Sequence, residues 1–105
     1  MLRELDAGDG SLFEAITHEF GDEARRQMVA MRAAIAEGDP QAIERAAHSI
    51  KGSSANLGAT RLSELSARLE ALARANAIEG AAEAADAIDA ELDRVDTALA
   101  SVAAR

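Results

Sequence analysis

Residues 38–58 read Gly38-Asp39-Pro40-Gln41-Ala42-Ile43-Glu44-Arg45-Ala46-Ala47-His48-Ser49-Ile50-Lys51-Gly52-Ser53-Ser54-Ala55-Asn56-Leu57-Gly58, and their punctuation decides the fold. Gly38 ends one helix. Asp39 suits the cap of the next, and Pro40 suits its first turn, where the missing N–H costs no helical hydrogen bond. Ile43, Ala47, Ile50 and Leu57 then recur at helical spacing, so this helix has one apolar face. Gly58 ends it, and Thr60 opens another.

The same pattern extends outward in both directions. Before Gly38, residues 22–37 continue a stripe of Phe20, Ala24, Met28, Met31 and Ile35. After Gly58, residues 60–76 carry Leu62, Leu65, Leu69 and Leu72. The stretch Asn76-Ala77-Ile78-Glu79-Gly80 breaks that helix, and residues 80–103 carry Ile88, Leu92, Val95, Leu99 and Val102. Four one-faced helices with short connections bury their stripes together as an all-α, antiparallel four-helix bundle. One domain over residues 1–105 is expected, since 105 residues are too few for two. The region before Phe20 has two readings. Ser11 to Glu19, with Phe13 and Ile16, forms a short extra N-terminal helix over 11–20, or Gly21 is only a weak point within one longer helix.

Composition agrees with helices. Apolar residues make up 49% of the chain and aromatics only 2%, which favours close packing through small side chains over a sheet. The absence of cysteine excludes disulfides and thiolate metal sites and fits a reducing compartment. No apolar run reaches membrane-spanning length, and Met1-Leu2-Arg3-Glu4-Leu5-Asp6 lacks the apolar core of a signal peptide. A cytoplasmic location is expected. The net charge of −8 argues against nucleic acid and anionic membranes as partners. From Glu79 onward seven acids face only Arg94 and Arg105, which reads as a solvated helix face. Arg45 and Lys51 make the surroundings of His48 locally basic.

His48 carries the chemistry. On a wheel of about 100° per residue, Ile43, Ala47, Ile50 and Leu57 fall within about 80°, and His48 lies roughly 140° from their centre. It therefore points to solvent or to the bundle edge, beside Gln41, Glu44, Arg45, Gly52 and Ala55. Lys51, the only lysine of the chain, follows three residues later, and Gly52 four. Those offsets set all three side by side. A neutral imidazole is a nucleophile, an ammonium attracts an anion, and a missing side chain leaves room for an incoming partner. Together they describe a place where a phosphoryl group can sit on a histidine. Each has a plainer reading: Gly52 relieves close helix packing, and Lys51 solvates a surface. His18 has no lysine or glycine at the useful offsets. Two histidines thirty residues apart give no convincing metal site, and Ser53 and Ser54 have no triad partners. No Walker pattern is present, so the chain is expected to lack an ATP site and not to be an enzyme in its own right.

The run His48-Ser49-Ile50-Lys51-Gly52, closing with Gly58, resembles the signature of histidine-containing phosphotransfer (HPt) domains of bacterial two-component phosphorelays. The resemblance spans the chain in helix number and length, with its specific part in Ala47 to Gly58. It implies that His48 is phosphorylated on its outer ring nitrogen. It implies that Lys51 meets the phosphoryl oxygens and that Gly52 keeps the site open. In some members a carboxylate or amide on the following helix bonds the inner ring nitrogen. Glu70 is the candidate by spacing, and is equally an ordinary solvated acid. Arg74, one turn on, either helps with phosphate or balances charge.

The resemblance implies a phosphoryl carrier between receiver domains, with Mg²⁺ and the acidic pocket on the receiver and no cofactor here. Docking would use Gly52, Ala55 and apolar contact from the first long helix, with Arg45 and Lys51 meeting the receiver's acidic rim. A monomer is expected, free-standing or as the terminal domain of a hybrid sensor kinase, itself soluble or membrane-bound. The rival reading is an interaction module that docks without phosphotransfer. A plain structural bundle would leave Lys51 and Gly52 unexplained.

Overall fold

The computed structural model describes residues 11–103. Helix α1 spans Ser11–Glu37, α2 Pro40–Leu57, α3 Thr60–Arg74 and α4 Ala81–Ala103, with a 3₁₀ turn at Ile78–Gly80 before α4. Met1 to Gly10 and Arg105, on which the readings of the N-terminus and of the terminal charge balance fall, lie outside the described residues.

Each turn follows from local chemistry. The Asp39 side chain accepts from the Ala42 N–H at 3.2 Å, and Pro40 occupies the first turn of α2. α1 ends with Gly38 at φ +66°, while Asp39 N–H returns to Ala34 C=O. α2 ends the same way, with Gly58 at φ +84° and Ala59 N–H on Ser54 C=O. Both are left-handed caps that satisfy otherwise orphaned carbonyls. α3 uses Asn76 at φ +56° for this purpose, with Ala77 N–H on Leu72 C=O. It thus stops at Arg74, two residues short of the expected boundary, and α4 starts one residue later than expected. Thr60 is inside α3 and does not cap it; Ala59 holds the cap position without a side-chain bond.

Packing runs from α1 to α2, α3 and α4 and closes from α4 back to α1, with α2 and α3 the most closely apposed pair. The core contains Met31, Ile43, Ile50, Leu62, Leu69, Ile88 and Leu92, all fully buried. The α1–α4 seam shows its direction in its ion pairs. Arg25 meets Asp93 and Asp96, whereas Arg32 meets Asp86 and Asp89. Rising numbers on α1 match falling numbers on α4, so the two helices are antiparallel. Four of the acids read as a solvated face are therefore the partners of α1, although those pairs remain water-exposed and individually weak. No helix among the described residues is long and apolar enough to cross a membrane.

Two expectations need correction. The separate helix over 11–20 does not form: α1 runs unbroken through Gly21. A glycine weakens a helix by about 1 kcal/mol, too little to break one whose next turns bury Phe20 and Ala24. Val102, assigned to the α4 stripe, is 49% exposed; Leu92 is the last fully buried residue of α4, Val95 packs half-buried against the core, and Leu99 is half-buried.

Small residues allow the close approach of α2 and α3. Ser54 and Ser66 are both fully buried, and the Ser66 hydroxyl donates to Leu62 C=O at 2.8 Å. The Ser54 hydroxyl has no hydrogen-bond partner among the described residues. A buried hydroxyl without a hydrogen bond is destabilising, so Ser54→Ala is expected to raise stability by about 1 kcal/mol. Urea unfolding checks this; a loss of stability would mean that the hydroxyl is paired in solution.

Candidate functional site

The site straddles α2 and α3. Ile43, Ala47 and Ile50 are buried, which turns His48 outward, and its side chain is 64% exposed. The buried face of α3 comprises Leu62, Leu65, Ser66, Leu69, Glu70 and Ala73, while Leu72 is only half-buried. That face is turned toward Glu70 relative to the leucine stripe read from the sequence. Turning it that way inserts Glu70 against α2, where its side chain is only 4% exposed.

Glu70 receives three donors. Oε1 accepts from Lys51 Nζ at 2.6 Å. Oε2 lies 2.7 Å from His48 Nδ1 and accepts from Arg74 at 3.1 Å. The hydrogen bond from Lys51 holds the Glu70 carboxyl below its ordinary value; burial opposes this, and His48 and the charges of Lys51 and Arg74 reinforce it. Glu70 is thus ionised near neutral pH, and an ionised carboxylate only accepts. Nδ1 must therefore carry the proton and donate it to Glu70. In the neutral ring this leaves the lone pair on Nε2, which makes no hydrogen bond among the described residues and belongs to an exposed ring. The arrangement presents a nucleophilic nitrogen of fixed tautomer to solvent.

This pairing predicts an acid limb in stability. The folded Glu70 titrates below the unfolded group, whose ordinary value is 4.5. Its contribution is then complete above that value and is lost as pH falls through the folded value. The stability difference between wild type and Glu70→Gln, measured by urea unfolding, should shrink as pH falls below 4.5. A difference independent of pH would sink the assignment of Glu70 as the ionised partner.

Gly52 is exposed, and a Cβ built there meets nothing within 4 Å. Close helix packing therefore does not account for the glycine. Lys51 is half-buried, with its ammonium on Glu70. Arg45 and Ala55 are both exposed on α2. His18 lies elsewhere, lining an open groove between α1 and α4 with Gly21, Arg25 and Leu99.

The sequence places Glu44 beside His48 and leaves Arg74 to help with phosphate or balance charge, but the pairing of Glu44 with Arg74 escaped it. Arg74 Nε donates to Glu44 Oε2 at 2.7 Å, so Arg74 bridges two carboxylates across the helix pair. The signals existed at spacing of four: Glu44 precedes His48 by one turn, and Arg74 follows Glu70 by one turn.

Comparison with known proteins agrees with this geometry. A family model described as the Hpt domain matches residues 15–98. No curated protein gives a significant sequence match. Among solved structures, the fold superposes on the crystal structure of histidine-containing phosphotransfer protein B (HptB) from Pseudomonas aeruginosa PAO1 with a TM-score of 0.87. The two share 26% sequence identity over 99% of this chain and 90% of that one. The all-α bundle expected from residues 38–58 is thus the fold of that phosphotransfer protein, and the family match covers the helices that carry His48 and Glu70. The chain belongs to the Hpt domain family, and its role is phosphotransfer in two-component signalling.

Proposed function

We propose that the protein is a phosphorelay intermediate that accepts a phosphoryl group on His48 from the aspartyl phosphate of one receiver domain and passes it to another. The observation that supports this most is the exposed His48 ring with Nδ1–H held by a buried carboxylate. In the forward step the Nε2 lone pair attacks phosphorus in line. The N–P bond forms as the P–O bond to the receiver aspartate breaks, and the bonding pair leaves with that aspartate's carboxylate. The Nδ1 proton stays on the ring, and Glu70 balances the positive charge that develops there. Lys51 offsets charge on the equatorial oxygens, as expected of a cation beside a transferring phosphoryl group. The return step is the reverse, onto the second receiver's aspartate.

His48 stands exposed on the surface of α2. The acidic pocket and its Mg²⁺ belong to the receiver in this reading. Gly52 and Ala55 give the receiver close approach to α2, and Arg45 meets its acidic rim. The domain works as a cytoplasmic monomer with no ATP site, alone or attached to a hybrid kinase.

Incubation with a phosphorylated receiver tests the proposal. Acid-labile, base-stable label on the wild-type protein is the expected result. Measurable receiver binding without label, across several receivers, would instead favour a docking module that carries no phosphoryl group.

A further inference from the structure

Arg74 has no part in the transfer step as described, yet its placement is specific. It donates to Glu70 Oε2, the oxygen that also accepts from His48, and through Nε to Glu44 on α2. The groups facing Glu70 are His48 and Lys51 from α2 and Arg74 from its own helix. Glu44 faces Arg74 and completes the cluster.

Lys51 has two claims on its ammonium. In the resting protein it sits on Glu70 Oε1 at 2.6 Å. A phosphoryl group on Nε2 adds negative charge beside it, on the neighbouring turn of the same helix. If Lys51 turned to that group and nothing else held Glu70, a buried carboxylate would lose its cation, which is strongly unfavourable. Arg74 is already bonded to the other oxygen and is fixed from behind by Glu44.

We propose that Arg74, anchored by Glu44, is a positioning residue that keeps Glu70 paired and aimed at His48 Nδ1 when Lys51 leaves for the phosphoryl group. One lysine can then serve the resting and phosphorylated states in turn. The inference rests on the carrier reading for its purpose, but its structural claim is separable: without Lys51, Arg74 alone suffices to hold Glu70 on the ring.

Ring ¹⁵N spectra of unphosphorylated His48 read that claim directly. Wild type and Lys51→Ala should both show the single Nδ1–H tautomer. Lys51→Ala with Arg74→Ala should show the tautomer mixture of a free imidazole, and Lys51→Ala with Arg74→Lys should recover the single form. Loss of the tautomer in Lys51→Ala alone, or its survival in the Arg74→Ala double variant, overturns the proposal. The Arg74→Lys double variant controls for misfolding, since it retains a cation at the same place. In the transfer assay, Arg74→Ala should slow labelling about tenfold and Arg74→Lys should restore most of it; rates equal to wild type would also overturn it. If wild type takes no label, the carrier reading falls while the spectra still judge Arg74.

Discussion

His48→Gln should take no label from any phosphorylated receiver, under conditions where wild type is labelled within the same incubation. Glutamine is close to histidine in length and its amide N–H can still reach Glu70, but it has no nucleophilic nitrogen. The side chain is 64% exposed, so little packing is lost. Stability should stay within about 1 kcal/mol of wild type, the usual net value of one hydrogen bond. Receiver binding should also persist, because the surrounding face is unchanged. Label retained by His48→Gln would move the phosphoacceptor elsewhere, and His18 would then be the one remaining histidine to test.

Gly52→Gln should separate folding from function with opposite signs. A side chain at this position points into open space, as nothing lies within 4 Å of a Cβ built there. The substitution should therefore stabilise α2 by about 0.5–1 kcal/mol, through helix propensity alone. Phosphoryl transfer should nevertheless fall by roughly 100-fold, since a displacement of about 1 Å from in-line geometry costs that much. Gly52→Ala should gain at least as much stability, because alanine is the best helix former, with a smaller loss of rate. Urea unfolding and the labelling rate measure the two effects on the same preparations. Transfer at the wild-type rate would show that the receiver does not approach over Gly52, and destabilisation would show that the glycine serves the fold after all.

The two substitutions also bear on different parts of the reading. The first removes the reacting atom and spares the surface. The second spares the atom and obstructs the surface. An interaction module that carries no phosphoryl group would ignore the first and lose binding with the second. A carrier loses transfer in both.

Most of the fold was legible because short-range chemistry sets it. The left-handed glycines at 38 and 58, the Asp39 cap and the first-turn Pro40 act within a few residues of themselves, and apolar spacing selects which face each helix buries. The failures have the same origin. Gly21 looked like a break because its helix cost is local, whereas the burial of Phe20 and Ala24 that outweighs it is tertiary. Asn76 serves in a left-handed cap more often filled by glycine, so α3 ended early. Val102 continued a stripe whose partner helices do not cover it.

For the site, the sequence by itself determined the outward histidine, the neighbouring lysine and the glycine, because all three lie on adjacent turns of one helix and their relative positions follow from helical geometry. Only the tertiary structure decided what Glu70 does. From the leucine spacing it was as readily a solvated acid, and its burial depends on how far α3 rotates about its own axis when packed on α2. That rotation depends on side chains from two helices at once, including the small Ser54 and Ser66 that allow close approach. It turns Glu70 into a buried acceptor shared by Lys51, His48 and Arg74, and so decides which nitrogen of the imidazole is free to react.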